Sequence, residues 1–333
     1  MSLSYSRRRV LALPAVALLA AACGAPVAPL SAAPAVGGPW AAPRGVPAGM
    51  GSPAADGVFP REVTHFGGTT QIPAAPRRVV VISTGQLDGL LALGVLPVGA
   101  ARGDDAVLVP PYLATAFPQQ AAGLVALADL GLRTAPNLEA IAKAAPDLIL
   151  ANKAGVEDLA PQLARIAPTV LTQGTGVNWK QDLLLVAHAL GSAQHAQQLL
   201  DTFNADAAAV GTRTGTATTV SFLRITAGRI RVFGVPSFTG SIAQDAGLPR
   251  PSTQTFGATS QDISREELAK ADGGHVFYGV QGGASDVLTS DVWKRMGAVA
   301  AGRATAVDDD VWYLNAGPVA ARLVLDGLAA TLG

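Results

Sequence analysis

The chain has 333 residues, with 24 basic and 24 acidic side chains and a formal net charge of zero. This balance lacks the basic excess of a nucleic-acid-binding protein, and the length is enough for one large or two medium-sized domains. Cys23 is the single cysteine, which excludes a disulfide framework within the chain and any other thiolate metal ligand or cysteine nucleophile.

The first 23 residues have the pattern of a lipoprotein signal peptide. Three arginines at residues 7–9 precede an apolar run, residues 10–22, that is too short to span a bilayer. Small residues then lead into Cys23, so we expect a lipobox in which Cys23 is acylated; the alternative is a free thiol. Residues 6–11 also resemble a twin-arginine export signal. These features predict a cell-membrane lipoprotein that faces outside the cytoplasm.

Residues 24–59 are rich in alanine, proline and glycine and have almost no hydrophobic periodicity. Such a composition cannot bury enough apolar surface to offset the entropy lost on ordering. We therefore expect a disordered tether between the membrane and a folded part of about 270 residues.

Strands and helices alternate in the first folded region, residues 60–176. The predicted strands are Arg78–Ser83, Val95–Ala100, Asp147–Ala151 and Pro168–Thr172. The predicted helices are Gln86–Leu93, Asn137–Ala144 and Val156–Ile166. This alternation predicts a parallel sheet with helices on both faces.

The alternation stops at Trp179. Residues 179–210 contain no proline and one glycine, Gly191, and their apolar residues recur at helical spacing. The pattern predicts one rigid helix of about thirty residues, some 45 Å long, within a connecting segment, residues 177–211.

Alternation resumes in residues 212–333. The predicted strands are Val220–Ile225, Ile230–Phe233, His275–Val280 and Val311–Leu314. The predicted helices are Gly240–Ala246, Ser264–Lys270, Asp286–Met296 and Pro318–Leu332. The expected fold class is therefore α/β, with two Rossmann-like lobes, each with a central and mostly parallel sheet, joined by one long rigid helix.

Several segments together resemble a known family. Residues 78–99, RVVVISTGQLDGLLALGVLPVG, are similar to the opening strand–helix–strand of the periplasmic binding proteins that serve ABC importers of ferric siderophores, haem and cobalamin. Further similar segments are Asn137–Ile141, Pro146–Leu150, Ile230–Gly234, Ser264–Leu268 and Val311–Ala321. The resemblance covers about Phe59 to Leu332, and the order and spacing of the segments carry it.

The resemblance implies a monomeric lipoprotein that captures a ferric siderophore between two lobes and delivers it to an ABC permease, without a resident cofactor. Haem or cobalamin cargo, or a cell-envelope interaction role, remain alternatives. An α/β enzyme is less favoured, because the chain lacks a Walker loop, a Gly-x-Ser-x-Gly elbow and a His–carboxylate zinc motif. No catalytic residue and no nucleic-acid partner are expected.

Polar candidates for the ligand site follow the predicted strands, because ligands of such sheets bind outside the strands' carboxyl ends. Thr84 and Gln86 lie in the first such loop, although Thr84 could simply start the next helix. Arg102, Lys153 and Arg224 suit the anionic oxygens of a ferric chelate; the alternative is solvated surface charge.

Aromatic candidates for burying the organic part of a chelate are Trp179, Tyr278 and Trp312, with core packing the alternative for Trp312. The histidines do not cluster at chelating spacing, so a bare metal ion is not the expected cargo. His275 is expected to be structural, and haem ligation by it remains open.

Two glutamates are candidates for contact with the permease. The resemblance implies one docking glutamate in each lobe, which Glu139 matches through Asn-Leu-Glu-Ala-Ile and Glu266 through Ser-Arg-Glu, with Glu267 as a competitor. The alternative is that each glutamate stabilises the N-terminus of a short helix.

Overall fold

A computed structural model describes residues 40–103, 107–215, 217–283 and 285–333. The predicted signal peptide with Cys23, and residues 24–39 of the expected tether, lie outside the described residues. No helix within the described ranges is both long enough and apolar enough to cross a membrane.

The first lobe contains a β-hairpin and a six-stranded sheet. The hairpin pairs β1 (Arg61–His65) with β2 (Gly68–Ile72). The sheet strands are β3 (Val79–Val81), β4 (Gly99–Arg102), β5 (Ala128–Leu132), β6 (Ala135–Pro136), β7 (Leu148–Asn152) and β8 (Thr169–Thr172). Their order is β6-β5-β4-β3-β7-β8, parallel throughout except for β6. The central strands are buried on both faces, which explains their continuous apolar sequences.

The helices of the first lobe are α1 (Gln86–Ala92), α2 (Pro111–Ala116), α3 (Ala121–Val125), α4 (Leu138–Lys143), α5 (Lys153–Val156) and α6 (Ala160–Ile166). Short 3₁₀ turns cover Pro118–Gln120 and Glu157–Leu159. The Asn137 side chain caps α4 by accepting from the Ala140 N–H. The strand expected over Val95–Ala100 begins only at Gly99, after a proline that cannot donate to a sheet.

The connection between the lobes is two helices, α7 (Trp179–Leu190) and α8 (Ala193–Thr214), so the prediction of one long helix is wrong. Gly191 ends α7 in the left-handed region, at φ 73°, and the Asp56 carboxylate caps the start of α8. A glycine with this conformation is a common helix stop, yet hydrophobic periodicity continues through it. The two helices pack against each other.

The second lobe has a five-stranded sheet of β9 (Val220–Thr226), β10 (Arg229–Phe233), β11 (Ser260–Ile263), β12 (His275–Val280) and β13 (Ala304–Ala306). The order is β11-β10-β9-β12-β13, and β10 runs antiparallel to both of its neighbours. The helices are α9 (Phe238–Asp245), α10 (Asp291–Lys294), α11 (Gly297–Ala300) and α12 (Pro318–Leu332).

Three predicted elements of the second lobe differ from the structure. The strand expected over Val311–Leu314 is part of a π-helical turn, Asp310–Leu314, because Asp308 accepts from the Val311 N–H and starts a helical turn instead. The helix expected over Ser264–Lys270 reduces to a 3₁₀ turn, Leu268–Ala271. The helix expected over Asp286–Met296 is divided by Ser290, which leaves a 3₁₀ turn, Asp286–Thr289, and then α10. A 3₁₀ turn also covers Ser252–Gln254.

Residues 40–60, which we call the N-terminal strap, lie against the folded part although most of them were expected to belong to the tether. The Arg44 guanidinium lies 2.7 Å from Asp245 of α9, the Ser52 N–H donates to His188 of α7, and Asp56 caps α8. These partners lie more than 130 residues away along the chain, so local composition gave no sign of them.

One apolar cluster extends through both lobes. It contains Leu90 of α1, Leu185 of α7, Phe222 of β9 and Leu325 of α12, all of them buried. The helix α12 packs against α1, α8 and α9, so the end of the chain contacts elements of the first lobe as well as the second. This shared core holds the two walls of the cleft described below.

Candidate functional site

The cleft between the lobes contains two adjoining cavities. The smaller cavity, of about 200 Å³, is lined on one side by Trp179, Leu183 and Val186 of α7. The larger cavity, of about 610 Å³, lies between the ends of the first-lobe strands and the sheet of the second lobe. The two share lining residues that include Thr84 and Tyr313, so they form one continuous site.

The first-lobe wall consists of loops at the carboxyl ends of parallel strands. Thr84 follows β3, Arg102 ends β4, and Asn152 and Thr172 end β7 and β8. Gln86 supports these loops, since its amide Nε2 lies 3.3 Å from Asn152 Oδ1 and its Oε1 accepts from the Ser83 N–H. The position of this wall agrees with the general location of ligands in such sheets.

Arginines dominate the larger cavity. Within the described residues, its lining arginines are Arg102, Arg133, Arg224, Arg229 and Arg231. Arg224 donates from Nε and Nη2 to Asp309, both at 2.7 Å, and Arg229 and Arg231 share Asp262. Arg224 and Arg231 face each other directly across β9 and β10, so two like charges lie side by side. Guanidinium groups bind carboxylate and similar oxygen pairs in a bidentate manner.

Two carboxyl groups in the cleft have raised pKa values. Burial is the largest cause of the raised pKa of Asp310, which lines the larger cavity, and the neighbouring Asp308 and Asp309 add to it. Burial raises the pKa of Asp182, in the smaller cavity, to about 7, although its oxygens accept from the Gln173 and Gly174 N–H groups. Burial therefore favours the neutral form of the Asp182 carboxyl more than it would be favoured at an exposed site.

Aromatic side chains surround the smaller cavity. They are Trp179, Phe233, Phe238, Trp312 and Tyr313. The Trp179 indole donates to Ser241, and Trp312 stacks on Phe277 with ring centroids 5.0 Å apart. Each ring is thus held in place on one side while another part lines the cavity, which suits the burial of an organic group.

Six of the eight residues predicted to bind a ligand line the cleft: Thr84, Gln86, Arg102, Trp179, Arg224 and Trp312. That they contact a ligand stays a prediction. Lys153 and Tyr278 are not among the described residues that line the two cavities. Lys153 starts α5 and lies 3.8 Å from Glu157, one helical turn away. Tyr278 packs edge-on against Trp293, on the side of β12 that α10 covers.

Several cleft residues were missed from the sequence, among them Arg229, Arg231 and Phe233. These three alternate along β10 and so share one face of the strand, a signal that was present in the sequence. Phe238 and Tyr313 gave no such signal, because they lie on a helix and on the π-helical turn.

The predicted docking glutamates are both exposed. Glu139 lies in the first turn of α4. Glu266 lies in a turn just before the Leu268–Ala271 3₁₀ helix, and therefore not on a helix as expected. Glu267 instead makes local contacts, accepting from the Ser264 N–H and from Lys270.

Histidines take no part in the cleft that the structure describes. His65 and His275 contact threonine hydroxyls, and His188 accepts from the strap. The described ranges also contain no group of three or more His, Cys, Asp or Glu placed to hold a metal ion.

Comparisons with known proteins place this architecture in a family. Residues 79–311 match the sequence profile of the periplasmic binding proteins. The chain belongs to this family. The binding protein is 33% identical over 287 residues to the probable siderophore-binding lipoprotein YfiY of Bacillus subtilis, which covers 80% of this chain and 86% of the relative. It is 24% identical over 273 residues to the Fe(3+) dicitrate-binding periplasmic protein FecB of Escherichia coli, with 80% and 88% covered.

The fold is also similar to that of a solved structure. The crystal structure of Staphylococcus aureus SirA complexed with staphyloferrin B matches the binding protein with a TM-score of 0.71 and 27% identity. The match covers 81% of this chain and 98% of SirA.

Proposed function

We propose that this chain is the extracytoplasmic, lipid-anchored substrate-binding protein of an ABC importer and captures a ferric siderophore in the cleft. The arginine-lined larger cavity is the observation that carries the proposal. Membership of the periplasmic binding protein family supports it, as do relatives named as siderophore- or ferric citrate-binding proteins.

The chemistry of the cleft suits an anionic iron chelate. A ferric siderophore presents charged oxygen donors around the metal, and several guanidinium groups can donate to them at once. Arg224 uses only some of its five N–H donors in the pair with Asp309, which leaves others for a ligand. The aromatic smaller cavity would take an organic arm of the chelate.

Tryptophan fluorescence tests the proposal directly, since Trp179 and Trp312 line the cleft. Ferric citrate, a ferric catecholate, a ferric hydroxamate, haem and cobalamin are each titrated, with iron-free chelators alongside. We expect saturable quenching by a ferric chelate and weaker binding of its iron-free form. Trp312→Phe should reduce the quenching amplitude, whereas Trp293→Phe, in the second-lobe core away from the cleft, should leave it intact.

The same titration separates the other functions. The described cleft has no histidine to ligate haem, which favours an iron chelate whose metal is already coordinated. If only haem or cobalamin binds saturably, that compound replaces the ferric siderophore as the proposed cargo. If all five compounds fail to bind, a cell-envelope interaction protein of the same fold becomes the better description.

Membrane attachment rests on the lipobox pattern that ends at Cys23. We expect Cys23→Ser to move the protein from the membrane fraction to the soluble fraction, since the acyl chains are attached through the thiol. Retention of the variant on membranes washed with high salt would contradict the lipoprotein assignment.

A further inference from the structure

Asp88 is a buried carboxylate with partners in both halves of the molecule. It belongs to α1 of the first lobe and is 1% exposed. Its two oxygens accept from the Val319 and Ala320 N–H groups, each at 2.9 Å, in the first turn of α12. The hydroxyl of Tyr112, from α2, donates to the same carboxylate at 2.9 Å.

Asp88 therefore caps a helix of the other half of the chain. The first four N–H groups of an α-helix have no partner inside the helix, and a carboxylate there also interacts favourably with the helix dipole. Ordinarily such a cap comes from a residue just before the helix, but here it comes from more than 230 residues earlier in the chain.

The backbone around this contact is closely packed and lines the ligand cavity. A Cβ on Gly317 would lie 2.3 Å from Asp88 Cγ, and a Cβ on Gly85 would lie 2.7 Å from the Ala316 carbonyl oxygen. Both glycines and Ala316 line the smaller cavity. The start of α1 and the turn before α12 thus form one joint, and each contributes a wall of the site.

We propose that Asp88 is a positioning residue that fixes the angle between the lobes, and so sets how long a ligand stays in the cleft. It acts through α12 and the 314–318 turn rather than by touching the ligand. Loss of the contact would let the turn move away from the Thr84–Gln86 loop, which would separate two walls of the smaller cavity. The joint itself does not depend on the proposed function; only the choice of ligand below does.

A buried carboxylate could instead stabilise the fold without affecting the lobe angle, and a matched control separates the two roles. Asp272 caps α11 through the Gly297 and Ala298 N–H groups, but both partners lie within the second lobe. In Asp88→Asn and Asp272→Asn alike, one acceptor oxygen becomes an N–H donor that faces a backbone N–H. Both variants should lose stability, and the lobe angle should change only in Asp88→Asn.

The lobe angle can be measured with two spin labels in a Cys23→Ser background, because Cys23 is the single cysteine of the chain. Labels are placed at Ala142→Cys on α4 and Ala269→Cys in the second lobe, both exposed positions. Pulsed electron–electron distance measurement without ligand should give a narrow distribution in the otherwise unchanged protein. Asp88→Asn and Gly317→Ala should both broaden it, the latter because the added Cβ displaces Asp88. The Asp272→Asn distribution should stay narrow.

Ferric citrate serves as the ligand in a second measurement. Stopped-flow fluorescence should show dissociation several-fold faster in Asp88→Asn than in Asp272→Asn, with similar association. A narrow, unshifted distance distribution in folded Asp88→Asn and Gly317→Ala protein would overturn the proposal. Failure of ferric citrate to bind any variant would exclude this chelate as the ligand of the proposed function, and the distance measurement would still decide the role of Asp88.

Discussion

Arg224, one of the proposed ligand contacts, is already held in place by the fold. It is held by Asp309 through two hydrogen bonds of 2.7 Å, and its side chain is 14% exposed at the edge of the larger cavity. A guanidinium held in this way loses little further freedom when it binds an oxygen pair, so its orientation is set before the ligand arrives.

Replacing Arg224 by alanine should weaken ferric chelate binding by about 1–3 kcal/mol, the range for a hydrogen bond to a charged group. Titration calorimetry measures the change. Arg322→Ala is the matched control, because Arg322 also pairs with an aspartate, Asp206, but lies on α12 outside the cleft lining that the structure describes. Equal affinity of the Arg224 variant and the native protein would show that Arg224 does not contribute to chelate binding.

His65 is expected to make stability depend on pH. Burial lowers its pKa to about 4, and its Nδ1 accepts from the Gly67 and Leu171 N–H groups, which leaves no room for a proton there. The unfolded chain takes up this proton below about pH 6.5, whereas the folded protein does so only near pH 4. The His65 contribution is therefore complete above pH 6.5 and falls as the pH drops towards 4.

Between pH 7 and pH 4, the contribution of His65 to the free energy of unfolding should fall by about 3 kcal/mol. Asp88 and Asp182, whose pKa values are raised, contribute with the opposite sign, so the comparison is made against a variant. Urea unfolding of His65→Gln should show a smaller loss on acidification than the native protein. An equal loss of unfolding free energy on acidification in both proteins would contradict a neutral, buried His65.

At the level of elements, Gly191 determines that the connection is two helices. Its φ of 73° lies in the left-handed region, and a Cβ would lie 3.1 Å from the Arg61 guanidinium and from the Phe59 ring. An alanine there would be strained by its conformation and by its neighbours together.

Gly191→Ala should lower the free energy of unfolding by about 1–2 kcal/mol, the range for an L-residue in the left-handed region. Gly155→Ala is the control, because no atom lies within 4 Å of a Cβ there and its φ is not positive. Chemical denaturation of both variants checks the difference. If the two variants are equally stable, the left-handed conformation of Gly191 is not what separates α7 from α8.

The sequence predicted elements well where local pattern alone decides them. Continuous apolar runs predicted the buried strands β7 and β12. A proline start and hydrophobic periodicity predicted α12. The sequence did not predict contacts that depend on a residue far away along the chain. The cap from Asp56 on α8 and the ion pair between Arg44 and Asp245 need the folded chain before they exist. In the cleft, Thr84 and Arg102 at strand ends were predicted, whereas Tyr313, on an unexpected π-helical turn, was not.

At the level of the whole molecule, several contacts resist wide opening of the cleft. The lobes share one apolar core, are connected by α7 and α8, and meet at Asp88, while the strap contacts α9 as well as α7. We therefore expect the radius of gyration in solution scattering to stay within experimental error when a ligand binds. A clear decrease would indicate a hinge motion that these contacts do not allow.

If the lobes move little on ligand binding, a permease would recognise exposed residues on both lobes. Glu139 and Glu266, one exposed carboxylate in each lobe, are the proposed contacts. The double variant Glu139→Ala with Glu266→Ala should keep full ligand affinity and lose iron uptake, because rim charges act chiefly on association with a partner. Glu157→Ala with Asp326→Ala, which removes one exposed acid from each half of the chain, is the control. Normal uptake by the first pair would exclude them as docking residues.

With the proposed lipid on Cys23, the strap would also limit how far the protein can move from the membrane. Because Trp40 lies against Gly257 of the second lobe, only residues 24–39 would separate the strap from the proposed lipid on Cys23. Sixteen residues cannot reach beyond roughly 60 Å even when fully extended. One protein confined to so small a volume above the bilayer is present there at an effective concentration on the order of millimolar. Under those conditions even a weakly attracting permease would be occupied for much of the time.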